Sequence, residues 1–282
     1  MHPTLRLVRV GNLGVSFLGT LVGGLVARGT GVSAPIAFWA AVVLAGVSTA
    51  LITAAGNVLN DVLDVEVDRT NHPDRPLVTG EVSLDTARGL VVGLFIAGLF
   101  VVLPVIALYP LVGVILAFAV LALLGYEFLL KARGFVGNLV VAFLTGMVFL
   151  YGGAAGGNVA LLLPFAGMAF LATLSREVIK DMEDLRGDVG RTTLPMAYGI
   201  PYSTRVAQSA VLAAVGLSAV PLGWFVRATS VAGIIYIGLV AVTDFVFVVS
   251  VRGLPSRLHF GQTMSKVAMT VALFAFLAVA FR

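Results

Sequence analysis

The distribution of hydrophobic and polar residues along the chain predicts a series of membrane-spanning helices. Long apolar runs follow one another from Val10 onward and are separated by polar connections. A helix needs about 20 apolar residues to cross a hydrocarbon core roughly 30 Å thick. The pattern predicts nine spans, at approximately residues 10–27, 36–58, 89–108, 110–130, 135–153, 159–178, 206–226, 231–250 and 263–281.

These runs favour an all-α polytopic membrane protein. The strands of a transmembrane barrel would alternate apolar and polar positions in short segments, whereas the apolar runs of this chain are long and continuous. The composition agrees, because 59% of the 282 residues are hydrophobic and only 11% are charged, far from the balance of a soluble protein. We expect one intramembrane domain over residues 1–282.

The chain contains no cysteine, which excludes disulfides, thiolate metal sites and a cysteine nucleophile. Its formal net charge is +4. The basic residues are spread over several connections instead of forming one basic domain, so we expect no nucleic-acid partner. Nothing in the pattern indicates an obligate protein partner.

The basic residues also predict the orientation in the membrane. With nine spans, the N-terminal segment and the even-numbered connections, with the adjoining helix ends, carry 15 of the 18 Lys and Arg residues. Only Arg28, Arg227 and Arg282 fall on the other side. Because cytoplasmic connections are enriched in Lys and Arg, we expect the N-terminus and the long polar connections in the cytoplasm.

Acidic residues are concentrated in two places. Of the 14 Asp and Glu residues, seven lie between Asp61 and Asp85 and five between Glu177 and Asp188. Each cluster begins at the predicted cytoplasmic end of a helix and runs into a long connection. We therefore expect two pseudo-related halves, each with an aspartate-rich motif, although the residues between the motifs show no clear repeat.

The first motif reads Asn60-Asp61-Val-Leu-Asp64-Val-Glu-Val-Asp68. If the helix continues through it, Asn60, Asp64 and Asp68 recur at every fourth residue on one face. Successive side chains are then about 6 Å apart along the helix axis, so two neighbours can reach one ion. These three residues are candidate metal ligands.

The second motif reads Lys180-Asp181-Met-Glu-Asp184-Leu-Arg-Gly187-Asp188. Asp181, Asp184 and Asp188 share one face if the helix persists. Gly187 can instead end the helix, and Asp188 would then approach the same centre from a loop. These three aspartates are the second set of candidate ligands.

Two acidic motifs that face each other imply a cation between them, because stacked carboxylates repel one another. Oxygen ligands suit Mg²⁺, which keeps several waters and takes other ligands from substrate phosphates. Two alternatives remain open: solvated charges at helix ends, and an ion or proton transporter. A transporter would place its carboxylates nearer mid-span. Only Asp244 has that position, and we interpret Asp244 as a helix-packing residue.

Basic residues on the same predicted side can supply the other half of a diphosphate site. Arg grips phosphate oxygens bidentately, and Lys provides a compact positive charge. The candidates are Arg75, Lys131, Lys180 and Arg191. The topology rule explains any one of them equally well, and Arg75, which lies beside the first motif and is followed by Pro76, is the strongest.

The two motifs resemble those of the UbiA-type intramembrane prenyltransferase family. Residues 60–68 followed by Arg75 are similar to the first motif of the family, and residues 180–188 are similar to the second. The nine-span layout extends the resemblance over essentially the whole chain. Tyr126 and Lys131 resemble a polar pair between the fourth and fifth helices of the family, and Asn12 resembles a pocket-lining position.

The resemblance implies a central cavity in which a prenyl group passes from an isoprenoid diphosphate to a lipophilic acceptor, with membrane lipids around it. The implied Mg²⁺ ligands are Asn60, Asp64, Asp68, Asp181, Asp184 and Asp188, with Asp64, Asp68, Asp181 and Asp184 as catalytic residues. The implied substrate-binding residues are Asn12, Arg75, Tyr126, Lys131, Lys180 and Arg191. Metal and cations would stabilise the leaving diphosphate, and a water-poor cavity would protect the allylic cation.

The acceptor is less constrained, because the shared motifs act on the donor. Ser175-Arg176-Glu177, with Lys180 after it, most resembles the archaeal ether-lipid branch, whose members join a second geranylgeranyl group to geranylgeranylglyceryl phosphate. The alternative is an aromatic prenyltransferase of quinone synthesis with a hydroxybenzoate or naphthoate acceptor.

Overall fold

The computed structural model describes residues 2–29, 34–185, 192–224 and 226–282. Over these residues, nine helices are long and apolar enough to cross a membrane, which confirms the predicted all-α class. They are α1 (Val10–Arg28), α2 (Ile36–Leu63), α3 (Leu84–Leu108), α4 (Pro110–Leu130), α5 (Phe135–Ala155), α6 (Ala160–Glu183), α7 (Ile200–Trp224), α8 (Val231–Arg252) and α9 (Leu258–Val279). Shorter helices occur at Pro3–Val8, Val65–Asn71 and Leu194–Tyr198.

Several helices are longer than the apolar runs that predicted them. Helix α2 continues to Leu63 instead of ending near residue 58, and α6 continues to Glu183 instead of ending near residue 178. Helix α9 begins at Leu258, five residues before the predicted start. Hydropathy marks only the part of a helix that lies in hydrocarbon, whereas backbone hydrogen bonding continues into the polar ends. The acidic motifs therefore begin on ordered helix ends.

Close packing between α1 and α5 depends on glycine. A Cβ atom added to Gly23 of α1 would lie 2.5 Å from the carbonyl oxygen of Phe149 and 3.2 Å from the Cα atom of Gly152, both on α5. Small residues allow membrane helices to approach until their backbones touch. The same helix α1 also packs against α2, so it joins two neighbours.

The last helix returns to the first. Val22 and Val26 of α1 belong to one buried apolar cluster with Phe276 and Val279 of α9. Beyond α9, Arg282 donates a hydrogen bond from Nη1 to the carbonyl oxygen of Val26, at 2.7 Å. These contacts join α1 and α9 at the end of the bundle opposite to the acidic motifs.

Candidate active site

A cavity of about 1850 Å³ lies among the helices. Most of its wall is apolar and includes Leu116, Phe149, Phe247 and Phe276. Polar residues line the end where α2, α4 and α6 terminate, because alternate helices run in the same direction and their C-terminal ends meet there. One cavity thus combines a charged end with a long apolar interior.

The first acidic motif lies at a bend in the helix. Helix α2 ends at Leu63, and Asp64 separates it from the helix Val65–Asn71. Backbone hydrogen bonding continues across the bend: the Asp64 N–H donates to the Asn60 carbonyl at 3.0 Å and the Asp68 N–H donates to the Asp64 carbonyl at 2.8 Å. Asn60, Asp64 and Asp68 all line the cavity, so the structure brings them together.

Two cations neutralise this motif. Lys131 forms an ion pair with Asp64, and Arg75 forms an ion pair with Asp68. All four side chains line the cavity. The predicted substrate-binding residues Arg75 and Lys131 therefore lie directly against the predicted metal ligands.

Asp61 supports the same motif from behind. Its side chain is 4% exposed and accepts from Arg9 at 2.5 Å and from Arg75 at 3.1 Å. Arg9 also lines the cavity and has a left-handed backbone conformation, with φ 56°, between the helix Pro3–Val8 and α1. Through these contacts, the start of α1 helps to fix Arg75.

A π-helical turn, Tyr126–Leu130, ends α4 and brings side chains into the cavity. Tyr126, Glu127 and Lys131 all line it. The Glu127 carboxylate accepts a hydrogen bond from Asn60 Nδ2 at 3.2 Å and one from Lys131 Nζ at 3.3 Å. Such turns occur frequently at functional sites. Here the turn ties the end of α4 to the first motif.

The second motif spans the end of α6, where the backbone conformation is similar to that at the end of α2. Helix α6 stops at Glu183, earlier than either possibility considered from the sequence, and Asp184 follows it with φ −85° and ψ 4°. The corresponding values at Asp64 are −94° and 4°. The Asp184 N–H donates to the Lys180 carbonyl at 2.9 Å, and both residues line the cavity.

Asp181 is placed differently from Asp184. Its side chain belongs to a residue only 3% exposed, accepts a hydrogen bond from Asn138 Nδ2 at 2.7 Å, and is not part of the cavity lining. Residues three apart on a helix point about 60° away from each other, and here that difference is enough for Asp181 to contact Asn138 of α5 while Asp184 lines the cavity. Asp188 and Arg191 fall outside the residues that the structure describes.

Two other sequence candidates also line the cavity. Asn12 lies near the start of α1. Asp244 lies well inside α8, lines the cavity and accepts a hydrogen bond from Ser218 Oγ at 2.8 Å. The contact joins α8 to α7, as a packing role requires, but Asp244 also faces the interior.

Sequence reasoning did not select six charged residues that line the cavity: Arg9, Glu127, Arg176, Glu177, Glu183 and Lys266. Arg9 and Lys266 were counted only toward topology. Glu127 was visible as an acidic residue outside both clusters, four residues before Lys131, a spacing that places both on one helical face. Tertiary contacts were needed to assign these residues to the site.

The donor set fits a magnesium ion. Within the described residues, no three acidic or histidine side chains lie close enough to hold a metal by themselves. Mg²⁺ does not require such a group, because it is usually bound by one or two carboxylates together with substrate phosphates. Asn60, Asp64, Asp68 and Asp184 carry side-chain oxygens and line the cavity.

A charged end and a long apolar interior in one cavity of a helical bundle are typical of an enzyme that acts within the membrane. The chain matches the model of the UbiA prenyltransferase family over residues 16–259 and belongs to that family. The resemblance seen in the two motifs is confirmed, and the protein is a prenyltransferase embedded in the membrane.

Two similar proteins can be aligned with most of this chain. The digeranylgeranylglyceryl phosphate synthase of Methanoculleus marisnigri is 39% identical over 247 residues, which are 86% of this chain and 82% of that protein. The synthase of the same name from Haloquadratum walsbyi is 38% identical, with 98% of this chain and 93% of that protein covered.

Solved structures share the fold. A structure from work on digeranylgeranylglyceryl phosphate synthase in membranes has a TM-score of 0.77 and 30% identity and covers 99% of this chain and 97% of that chain. A UbiA homologue from Archaeoglobus fulgidus, bound to DMAPP and Mg²⁺, has a TM-score of 0.65 and 19% identity, with 97% of this chain and 98% of that chain covered.

Proposed function

We propose that the protein transfers a geranylgeranyl group from geranylgeranyl diphosphate to geranylgeranylglyceryl phosphate, with Mg²⁺ as cofactor. The observation that carries the proposal is the cavity, in which carboxylates and cations are concentrated at one end and most of the remaining wall is apolar. The synthases at 38% and 39% identity support this acceptor.

The donor diphosphate would bind at the charged end. Arg75 and Lys131 are paired with Asp68 and Asp64 in the structure, and Lys180 lies 3.8 Å from Glu177. These cations can turn from carboxylates to phosphate oxygens when the donor enters. Asn60, Asp64, Asp68 and Asp184 would then hold the metal together with the diphosphate, as the DMAPP and Mg²⁺ of the Archaeoglobus homologue support. A bound Mg²⁺ supplies Lewis-acid stabilisation of the leaving group.

Arg75, Lys131 and Lys180 provide positive charge where negative charge grows as the allylic C–O bond breaks. Fixed charges aimed at the leaving group lower the barrier more effectively in a water-poor site than in solvent. The apolar wall keeps water from the allylic cation. The diphosphate leaves with the electron pair of the broken C–O bond. A glycerol hydroxyl oxygen of the acceptor then attacks C1 of the allylic cation and forms the ether bond, and its proton passes to the released diphosphate.

We also propose that the charged end faces the cytoplasm. The Lys and Arg distribution of 15 to 3 supports this orientation. In the structure, Arg28 and Arg282 lie at the opposite end of the bundle. Arg28 is the last residue of α1, and the Arg282 guanidinium lies beside the next residue, Gly29, 3.3 Å from the position of an added Cβ atom. The anionic groups of both substrates would then enter the cavity from the cytoplasmic side.

A direct assay tests the function. Purified protein would be incubated with geranylgeranyl diphosphate and, separately, geranylgeranylglyceryl phosphate, hydroxybenzoate or naphthoate. We expect product only with the glyceryl phosphate, loss of turnover in excess EDTA, and recovery on addition of Mg²⁺. Transfer to an aromatic acceptor alone would reject the proposed acceptor, and full turnover in EDTA would reject the metal.

A further inference from the structure

A second pair of cations lies deeper in the cavity. Arg176 of α6 precedes Asp184 by eight residues, and Lys266 of α9 follows Leu258 by eight. At 1.5 Å per residue, each lies about 12 Å along its helix from the charged end. Both line the cavity, and we name them the inner basic pair. The predicted span 263–281 put Lys266 at a helix end, but the earlier start of α9 puts it well inside.

The packing of α6 against α9 brings the inner basic pair to one level. Glu183 meets His259 at 3.0 Å near the charged end. At the other end, the rings of Phe165 and Phe276 meet edge to face, with centroids 4.7 Å apart. The two helices are antiparallel. Counting the same number of residues inward along both helices, from either contact, reaches Arg176 on α6 and either Lys266 or the residue next to it on α9. The two cations therefore lie at the same depth to within one residue.

The polar groups around the pair have unused donors. Within the described part of the chain, Lys266 Nζ has no hydrogen bond or ion pair. Arg176 Nη1 contacts Glu177 at 2.7 Å, but its Nε atom is buried without a hydrogen-bond partner in the same region. One turn deeper, the buried Oγ1 atom of Thr173 also lacks such a partner there. Thr270 of α9 lines the cavity too, but its hydroxyl already donates to the Lys266 carbonyl oxygen at 3.0 Å.

A charge inside a membrane helix is costly unless it is paired or hydrated, so such residues face cavities and meet charged ligands. A guanidinium, an ammonium and a hydroxyl together match the oxygens of a phosphate. The cations of the charged end pair with the aspartates of the first motif. Arg176 pairs with Glu177 through Nη1 but keeps its buried Nε atom free of a partner among the described residues, so the inner basic pair retains donors for a second anion.

We propose that the inner basic pair, with Thr173, binds the phosphate of the lipid acceptor. The inference rests on the proposed function, which brings two anionic substrates into one cavity. With the acceptor phosphate at the inner pair and the donor diphosphate at the acidic motifs, the glycerol unit lies between them and can reach the reacting carbon. The pair then selects acceptors that carry a phosphate.

Kinetics with two acceptors test the subsite. The variants are Lys266→Met, Arg176→Gln, the charge-preserving Lys266→Arg and the control Arg252→Met, which removes an exposed cation at the end of α8. The acceptors are geranylgeranylglyceryl phosphate and its dephosphorylated form. We expect Lys266→Met and Arg176→Gln to raise KM for the phosphorylated acceptor about tenfold, the loss of one charge-assisted contact. KM for the donor and for the neutral acceptor should stay unchanged.

The Arg252→Met control should match the wild type in all of these KM values. Lys266→Arg should keep the wild-type preference for the phosphorylated acceptor over the neutral one. A binding measurement complements turnover, because a ligand that binds the native state raises its thermal midpoint. In detergent without donor, the phosphorylated acceptor should stabilise the wild type and Lys266→Arg but not Lys266→Met. If Lys266→Met fails to fold, Lys266→Gln takes its place.

Two negative results have different meanings. Wild-type protein that transfers nothing to geranylgeranylglyceryl phosphate would overturn the proposed function. Wild-type transfer together with an unchanged KM and an unchanged thermal shift in folded Lys266→Met and Arg176→Gln would overturn only the phosphate subsite.

Discussion

At the residue scale, the aspartates of the first motif differ in whether they line the cavity, and therefore in what they can do. Asp64 and Asp68 line it, whereas the Asp61 side chain is 4% exposed and is enclosed by Arg9 and Arg75 behind the cavity wall. A carboxylate on the cavity wall can exchange its basic partner for a metal ion. A buried one that loses its partner retains an uncompensated charge, so Asp61 serves to position Arg75.

We expect Asp64→Ala and Asp184→Ala each to lower kcat by about a thousandfold or more. Each variant removes a metal ligand and with it several kcal/mol of transition-state stabilisation of the leaving group. Steady-state assays of purified variants measure the effect. Folding should persist in detergent, since both residues follow helix ends and line the cavity. Asp85→Ala is the matched control, because the Asp85 side chain is 93% exposed. Near-wild-type turnover in either motif variant would reject the two-motif site.

At the element scale, the polar ends of the helices carry the chemistry. Asp64 and Asp184 each follow the last residue of a helix with nearly the same backbone angles, and each donates its N–H to a carbonyl four residues earlier. The two predicted halves thus share a local structure as well as an acidic motif. The bend after each helix carries an aspartate into the cavity.

Helix α1 offers a matched test of packing. We expect Gly23→Ala to lower the thermal midpoint, because the new methyl group would meet the Phe149 carbonyl oxygen at 2.5 Å, and overpacking costs about 1–3 kcal/mol. Gly14→Ala, on the same helix with nothing within 4 Å of the added atom, should be neutral or stabilising, since alanine favours helix. Thermal unfolding in detergent compares them, and equal midpoints would contradict the packing between α1 and α5.

At the scale of the whole molecule, the arrangement of nine spans over the described residues determines which connections share a side of the membrane. The two acidic motifs follow α2 and α6. Both helices have even numbers, and because successive spans cross the membrane in opposite directions, both end on the same side. The connection between α7 and α8 lies at the other end. Arg227 lies there, and from the distribution of basic residues we expect it on the outside.

Cysteine labelling tests this topology, because the wild type has no cysteine. Thr70→Cys, after α2, and Thr229→Cys, between α7 and α8, are both exposed. We expect a membrane-impermeant maleimide applied to intact cells to label Thr229→Cys alone and to label Thr70→Cys only after the membrane is opened. Labelling of both from one side would reject the proposed orientation.

The sequence by itself determined the class of fold, the number of spans and the two acidic motifs. Apolar runs long enough for a bilayer admit little but helices, because backbone polar groups must be satisfied within each span. The spacing of Asn60, Asp64 and Asp68 predicted their common direction because backbone hydrogen bonding persists across the bend at Asp64. Local periodicity was enough for these features.

Only the tertiary structure decided which charges share the cavity. Asp181 belongs to the second motif but turns toward Asn138 on α5, whereas Arg176 and Lys266, 90 residues apart in the chain, reach one level of the cavity. The partner of a charge is set by the rotation and register of a neighbouring helix. Packing fixes both, through contacts such as that between Phe165 and Phe276, and hydrophobic periodicity along one chain does not specify them.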